Sequence, residues 1–462
     1  MLQVQLVRPL RRAKQSLRAP SRSLWRASTL VSSSPTSLLS HLETSPPPLS
    51  FTACVYALSK NTPQDLVPSF RALLSRSDAS TPAVGCLSEV LPPFSFPFPS
   101  SAAPCEGFSL ALAYWEPTDS SEPRPVVFRS TLTGRPNISV GREHRPEDVE
   151  QDNGEDAGFE AFLRGEKWGF GSPATKNSEN EGLGELQGVE PNQIKQIVAF
   201  AADRFQPFLS ALSAYPSASA MGLVGSSTPF HSPTHDPFSL YLGTTETDSA
   251  GAIGVVIVGG NEVVTEKLSY GGLEPLGKPM EVTSSRGNIV LLLSQQNAAK
   301  TLLNEVNSLF GTSAQNLSAI QRSQEKEKEF YAAVFERDPG ANPKLNEAKL
   351  VAKIMAGDPS RGAMSVETEE EVKQGSWLVF LHRPSSSNTA MMPSTSPNSL
   401  TFLSLAPSYT SPHITASECP TTGDVLVLDG FIAASENGII HSAGQGRKAV
   451  CAIEGARVEL SG

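Results

Sequence analysis

The chain has 462 residues, a length that suggests about three structural units. Its formal net charge of −10 argues against nucleic-acid binding, which needs clustered Lys and Arg to displace counterions. Hydrophobic residues make up 39%, and no apolar run approaches the ~18–20 residues of a membrane-spanning helix, so no span is expected.

The first forty residues differ from the rest. Arg8, Arg11, Arg12, Lys14, Arg18, Arg22 and Arg26 supply seven positive charges, with no acid before Glu43. Leu2, Val4, Leu6, Leu10 and Leu17 can share one face of a short helix, interrupted by Pro9. An Arg-rich, Ser-rich, acid-free amphipathic start has the character of a mitochondrial presequence. Residues 1–44 then read as presequence plus linker, and the mitochondrial matrix as the location. A disordered basic tail that meets acidic surfaces is the plainer alternative. Cleavage near Arg26-Ala27-Ser28-Thr29 would remove all seven charges and take the formal net charge from −10 to −17.

Ser45–Ser50 reads as a Pro-Ser linker and Phe51–Leu58 as a buried strand. Thr62-Pro63-Gln64-Asp65 predicts a helix start, with Thr62 as N-cap, running to Leu74 with a kink at Pro68. Ala83–Leu91 follows that helix, giving an order of strand, helix and strand, and Phe108–Trp115 and Pro125–Phe128 alternate well enough for further strands. His144–Asn192, rich in Glu, Asp, Gly and Asn, is expected to be a largely disordered insertion. Gln193–Leu212 predicts a helix with Ile194, Ile197, Val198, Ala201, Phe205 and Phe208 on one side. Met221–His235 reads as a Gly-Ser-Pro loop, and Ser239–Leu242 and Ala252–Val258 as strands.

Tyr270–Leu293 places a Gly-rich turn before a Val282-Thr283 strand start, then a Ser-Ser-Arg-Gly-Asn turn and an apolar run. Asn297–Leu309 predicts a helix, Gln315–Glu327 a charged one, and Phe330–Phe335 a strand. Leu350–Arg383 offers a strand, a tight Gly-Asp-Pro turn, a second strand and a β-rich Trp-Leu-Val-Phe-Leu. Pro384–Ser399 is a low-complexity insertion of Ser, Pro, Asn and Met.

Several motifs fail on chemical grounds. Gly272–Pro279 is close to a phosphate-binding loop, but Pro279 offers neither the hydroxyl for Mg²⁺ nor a backbone N–H. His231, His235 and Asp236 have ligand-like spacing, yet Pro233 intervenes and no further ligand stands nearby. Gly444-Gln-Gly446 leaves no length for a dinucleotide-binding unit. The five cysteines are scattered without a Cys-x-x-Cys pair, which argues against a disulfide framework and structural zinc. No cofactor and no metal are expected, and no nucleophile elbow or acid/base carboxylate pair points to an enzyme.

Two turns echo each other: Gly85-Cys86-Leu87-Ser88-Glu89, and Gly430-Phe431 through Ser435-Glu436. Each follows one apolar strand and precedes another, so two lobes of similar plan would set them on a shared cleft. Arg286 with Asn288, and Glu436 with Asn437, are either turn-formers or groups that converge on a polar ligand, with Arg286 gripping a carboxylate bidentately. Cys86 is either a nucleophile or a buried small residue.

The lead Leu273-Glu274-Pro275-Leu276-Gly277-Lys278-Pro279 into Val282-Thr283, the Gly287-Asn288 turn, Asp358-Pro359-Ser360-Arg361-Gly362-Ala363, and Gly430-Phe431 to Glu436 resemble the C-terminal half of the FIST module. Gly85-Cys86-Leu87-Ser88 is similar to a Gly-Cys-Ser-like turn of the N-terminal half. Ala433 stands where that family has a small residue or Cys, so thiol chemistry is absent there. FIST modules occur in bacterial signalling proteins and in an F-box subunit of ubiquitin ligases.

The resemblance implies a mixed α/β protein of two lobes, about Ser45–Leu268 and Ser269–Gly462, each a mixed sheet flanked by helices. It also implies a non-catalytic, sensory protein that binds a small ligand, amino acids being the class suggested for the family. A protein-interaction adaptor related to the F-box proteins, with a protein partner, is the alternative. The expected ligand-binding set is Cys86, Ser88, Glu89, Thr283, Arg286, Asn288, Gly430, Glu436 and Asn437.

Overall fold

The computed structural model is a mixed α/β protein dominated by strands. It describes residues 25–461 except 48–50, 76–82, 92–106, 117–122, 133–182, 184–185, 187, 203, 227–238, 247–249, 261–264, 311–328, 359–361, 369–370, 385–395, 407–422 and 443–446. Most of the expected insertions, the helix expected at Gln315–Glu327, and His231, His235, Asp236 and Gly444–Gly446 therefore lie outside the described residues.

In chain order the first half contains β1 (Trp25–Ser32), α1 (Pro35–Thr44), β2 (Ala53–Ser59), α2 (Val67–Leu74), β3 (Ala83–Ser88), β4 (Phe108–Trp115) and β5 (Arg124–Ser130). There follow β6 (Ile194–Ala201), α3 (Gln206–Leu212), β7 (Ser219–Val224), β8 (Leu240–Leu242), β9 (Thr245–Glu246), β10 (Ala252–Val258) and β11 (Thr265–Tyr270). Next come β12 (Glu274–Arg286), β13 (Ile289–Leu293), β14 (Gln296–Asn297), α4 (Ala298–Phe310), β15 (Phe330–Phe335), β16 (Leu350–Asp358), β17 (Ala363–Val366) and β18 (Trp377–His382). The chain closes with β19 (Leu400–Ser404), β20 (Val425–Asp429), β21 (Phe431–Ser435), β22 (Ile439–Ser442), β23 (Lys448–Cys451) and β24 (Ala456–Ser461).

One sheet has the order β20-β1-β4-β2-β3-β8-β9 and another β23-β22-β7-β6-β10-β5. Each contains one parallel pair, β2 with β3 and β6 with β7, joined through α2 and α3 as crossover units. The inward faces meet in one core, where Val55, Ala57 and Cys86 share a cluster with Val198, Phe200 and Val255. The outward face of the first sheet packs Tyr56 and Leu58 against Leu38, Leu42 and Phe70 of α1 and α2. That of the second packs Ile197 and Ala199 against Phe208 and Leu212 of α3. The layering is helices, sheet, sheet, helix. A smaller sheet, β11-β24-β19-β21, joins the shared core, as does one face of β12-β18-β15-β16-β17-β13-β14 through Tyr331, Val351 and Val379, while its other face builds a second core with α4.

Several expectations need correction. Residues 25–44, assigned to a presequence and linker, are part of the fold. β1 lies between β4 and β20, and Trp25 is 2% exposed. Ser34 caps α1 by accepting the Ser37 N–H at 3.3 Å. Cleavage near Arg26–Thr29 would cut within β1. Thr62 does not start a helix: α2 begins at Val67, and Pro68 sits harmlessly in its first turn rather than kinking it. Gln193–Leu212 divides into β6 and α3, because β6 is covered on both faces and its apolar residues need not alternate. Ser219–Val224 is a strand rather than part of a loop. The boundary expected at Leu268 falls inside β11, and β20, β22 and β23 return to the sheets of the first half.

Candidate functional site

Parallel strands carry their carboxyl ends to the same edge, the place where open α/β sheets gather ligand-binding groups. Lys60 directly follows β2, Glu89 follows β3, Ser226 comes two residues after β7, and Glu436 directly follows β21. The backbone stitches these ends together. The Lys60 N–H donates to the Ser88 carbonyl at 2.8 Å, Ser226 N–H to Leu87 at 3.0 Å, and Glu89 N–H to Ala434 at 2.7 Å.

The side chains then form a buried charged cluster. Lys60 Nζ donates to Glu89 Oε2 at 2.7 Å and stands 3.7 Å from Glu436 Oε1. Ser226 Oγ donates to Glu436 Oε2 at 2.6 Å, and the Val90 N–H to Glu89 Oε1 at 2.8 Å. The three charged side chains are 7%, 1% and 7% exposed for Lys60, Glu89 and Glu436. Asn437 completes the junction, its Nδ2 donating to the Gly225 carbonyl at 2.8 Å and its N–H to Ser435 Oγ at 3.0 Å. Ser435 Oγ in turn donates to the Val224 carbonyl.

Burying ions costs several kcal/mol each, so the geometry must supply close partners. An ammonium has three donors, and the Glu89 bond uses one. The contact at 3.7 Å with Glu436 is longer than a hydrogen bond. Among the described residues Lys60 therefore keeps donor capacity, next to a carboxylate oxygen. Asn437 Oδ1 accepts no bond from the described residues, so the residue next to Glu436 also keeps an acceptor.

Of the residues expected to bind ligand, Glu89, Glu436 and Asn437 come together here, with Ser88 contributing its carbonyl. Cys86 points into the apolar core between the sheets, where burial pushes its thiol far above the usual range, so it is no nucleophile. Gly430 is at the opposite end of β21, about 20 Å along an extended strand. Its N–H donates to the Ala27 carbonyl at 3.0 Å, and at φ +88° an added Cβ would meet Ser399 Oγ at 2.6 Å, so the glycine serves the backbone.

Thr283, Arg286 and Asn288 belong to the β12–β13 hairpin in the other core, and no described contact joins them to Glu436. Thr283 Oγ1 accepts the Gln295 N–H at 3.1 Å, Asn288 Nδ2 donates to the Val366 carbonyl at 2.9 Å, and Arg286 is exposed beside the turn. Convergence of Arg286 with Glu436 is not observed. Sequence reasoning missed Lys60 and Ser226. The available signal was position: each stands one or two residues past a wholly or nearly buried strand.

Among the described residues no group of three His, Cys, Asp or Glu could hold a metal ion, and no helix is long and apolar enough to cross a membrane. No protein-family model matches the chain, and no curated protein sequence matches it.

Proposed function

We propose that this is a non-catalytic, small-ligand-binding protein of the mitochondrial matrix, and that Lys60, Glu436 and Asn437 grip an α-amino acid. The observation that carries the reading is a buried ammonium that keeps donors unspent among the described residues, beside a carboxylate, at four strand ends. The ligand carboxylate accepts from Lys60 Nζ, and its ammonium donates to Glu436 Oε1 and Asn437 Oδ1. The resemblance to FIST sensory modules supports the same class of ligand. Because β1 starts at Trp25, the reading places presequence removal before that residue.

Thermal-shift screening of the purified protein against amino acids tests it. A ligand at 100 times its Kd stabilises by about 2.7 kcal/mol. The shift is expected to vanish in Glu436→Gln, which keeps an acceptor for Ser226 but loses the charge. If no amino acid shifts the protein while one protein partner co-purifies reproducibly, the adaptor reading replaces this one. A fusion of Met1–Ser40 to a fluorescent reporter tests the location, and a diffuse cytosolic signal refutes it.

A further inference from the structure

A cleft of about 500 Å³ opens between β11, the turn at Leu345–Glu347 with the start of β16, and the β22–β23 pair. This volume lies within the ~300–1,000 Å³ of ordinary small-molecule sites. His441 lines it and is only 8% exposed. Its Nδ1 lies 3.1 Å from the Ser442 carbonyl, which can only accept, so Nδ1 carries the proton. Nε2 is then a lone-pair acceptor, and it has no partner among the described residues. Burial favours the neutral ring, which keeps that lone pair free.

The charges behind the ring are already engaged. Glu266 accepts from Ser219 Oγ and from the Ser442 N–H, both at 2.7 Å. Lys448 Nζ donates to the Ala218 carbonyl and lies 3.4 Å from Ser442 Oγ. The remaining walls include Leu268, Val351 and Val450, and the Tyr270 hydroxyl has no hydrogen-bond partner among the described residues. His441 Nε2, an acceptor, and the Tyr270 hydroxyl therefore stand uncommitted among the described residues beside an apolar wall, while Asn346 and Lys267 line the exposed side of the cleft.

We infer that this cleft is a second binding site, for an uncharged aromatic molecule that carries one O–H or N–H donor, of the phenol or indole class. The donor meets His441 Nε2 and the ring packs on Leu268, Val351 and Val450. Lys267 and Lys349 also border the cleft, so an aromatic carboxylate is the competing ligand that the test includes. The site does not rest on the Lys60 cluster.

Isothermal titration with 4-ethylphenol, its methyl ether 4-ethylanisole, and 4-ethylbenzoate tests the inference on the full chain. The phenol should bind at least about tenfold more tightly than the ether, the loss expected for one hydrogen bond to a buried acceptor. In His441→Leu the phenol should fall to the affinity of the ether, while the ether changes little. Equal binding of phenol and ether to the wild type overturns the assignment, as does tighter binding of the benzoate or no binding by any probe. Discrimination that persists in His441→Leu also overturns it. If that variant does not fold, the wild-type phenol-to-ether ratio and the same ratio in Tyr270→Phe still decide: the former must exceed tenfold, and the latter must stay above one.

Discussion

Trp25→Ala is the sharpest test of whether β1 belongs to the fold. The indole is 2% exposed and packs edge-to-face on Trp115, with ring centroids 5.2 Å apart at 80°. Its Nε1 donates to Gln196 Oε1 at 3.1 Å, which ties the first sheet to the second. Truncating a buried aromatic to Ala costs about 3–5 kcal/mol, and the lost aromatic pair and the orphaned Gln196 oxygen place this site at the upper end. Against a total stability of about 5–15 kcal/mol, that is a third or more of what holds the protein folded. Urea unfolding followed by far-UV circular dichroism measures it, with an unchanged slope confirming that the two states are the same. Trp25→Phe keeps most of the packing and should cost about 1–2 kcal/mol. A Trp25→Ala penalty below about 1 kcal/mol would mean that Trp25 belongs to a dispensable leader, and β1 would be wrong.

Three further outcomes follow from buried charges and thiols. Lys60→Met removes the ammonium bound to Glu89 at 2.7 Å and should destabilise by about 3–5 kcal/mol, read as a lower urea midpoint. His441 should make stability pH-dependent. Burial, the dominant cause, holds its folded pKa below the unfolded value near 6.5, with the Ser442 carbonyl and Glu266 opposing and Lys448 adding. The unfolded chain then takes the proton first, so the contribution is complete above about pH 6.5 and is lost as pH falls towards the depressed folded value. Urea midpoints at pH 8, 6 and 5 should show a fall that flattens in His441→Leu. Cys54, Cys86 and Cys451 should resist iodoacetamide in the native protein at pH 8, since burial pushes Cys54 up to about 12 and Cys451 to about 11, with Cys86 raised further still. Peptide mapping would detect their modification, and rapid native-state labelling of Cys86 would contradict its place between the sheets.

Local chemistry made the hairpins and isolated strands legible. Gly287-Asn288 closes a two-residue loop between Arg286 and Ile289, with Gly287 at φ +59°, as a Gly-Asn turn ahead of an apolar run suggests. The strands at Phe108–Trp115, Ala252–Val258 and Phe330–Phe335 carry their own β-rich composition. Burial on two faces hid β6. Ile197, Ala199 and Ala201 face one core while Val198 and Phe200 face the other, so these five consecutive positions are all apolar and the period of two disappears. The helical spacing of Ile194, Ile197, Val198 and Ala201 was a coincidence of that saturation, and the two isoleucines and the valine were the better guide. The basic character of the first residues masked Trp25–Ser32 in a similar way, because charge balance carries no information on whether alternate residues are buried.

The site divides along the same physical line. The echo between Ser88-Glu89 and Ser435-Glu436 was visible because each turn keeps a Glu after a buried strand, and the folded chain does bring these turns together through the Glu89 N–H and the Ala434 carbonyl. The echo could not reveal what lies between two carboxylates. Two nearby buried anions repel, which either a shared proton or a cation relieves, and any of 37 Lys and Arg residues could have supplied the cation. Lys60 meets it because β2 and β3 run parallel and end together, a fact of pairing that no local pattern encodes. Arg286 failed as a site residue for the converse reason. Its turn chemistry is sound, but β12 and β13 pair within a separate sheet, whose core does not include the ends of β3 or β21. Local sequence names the groups fit to bind, and strand pairing decides which of them meet.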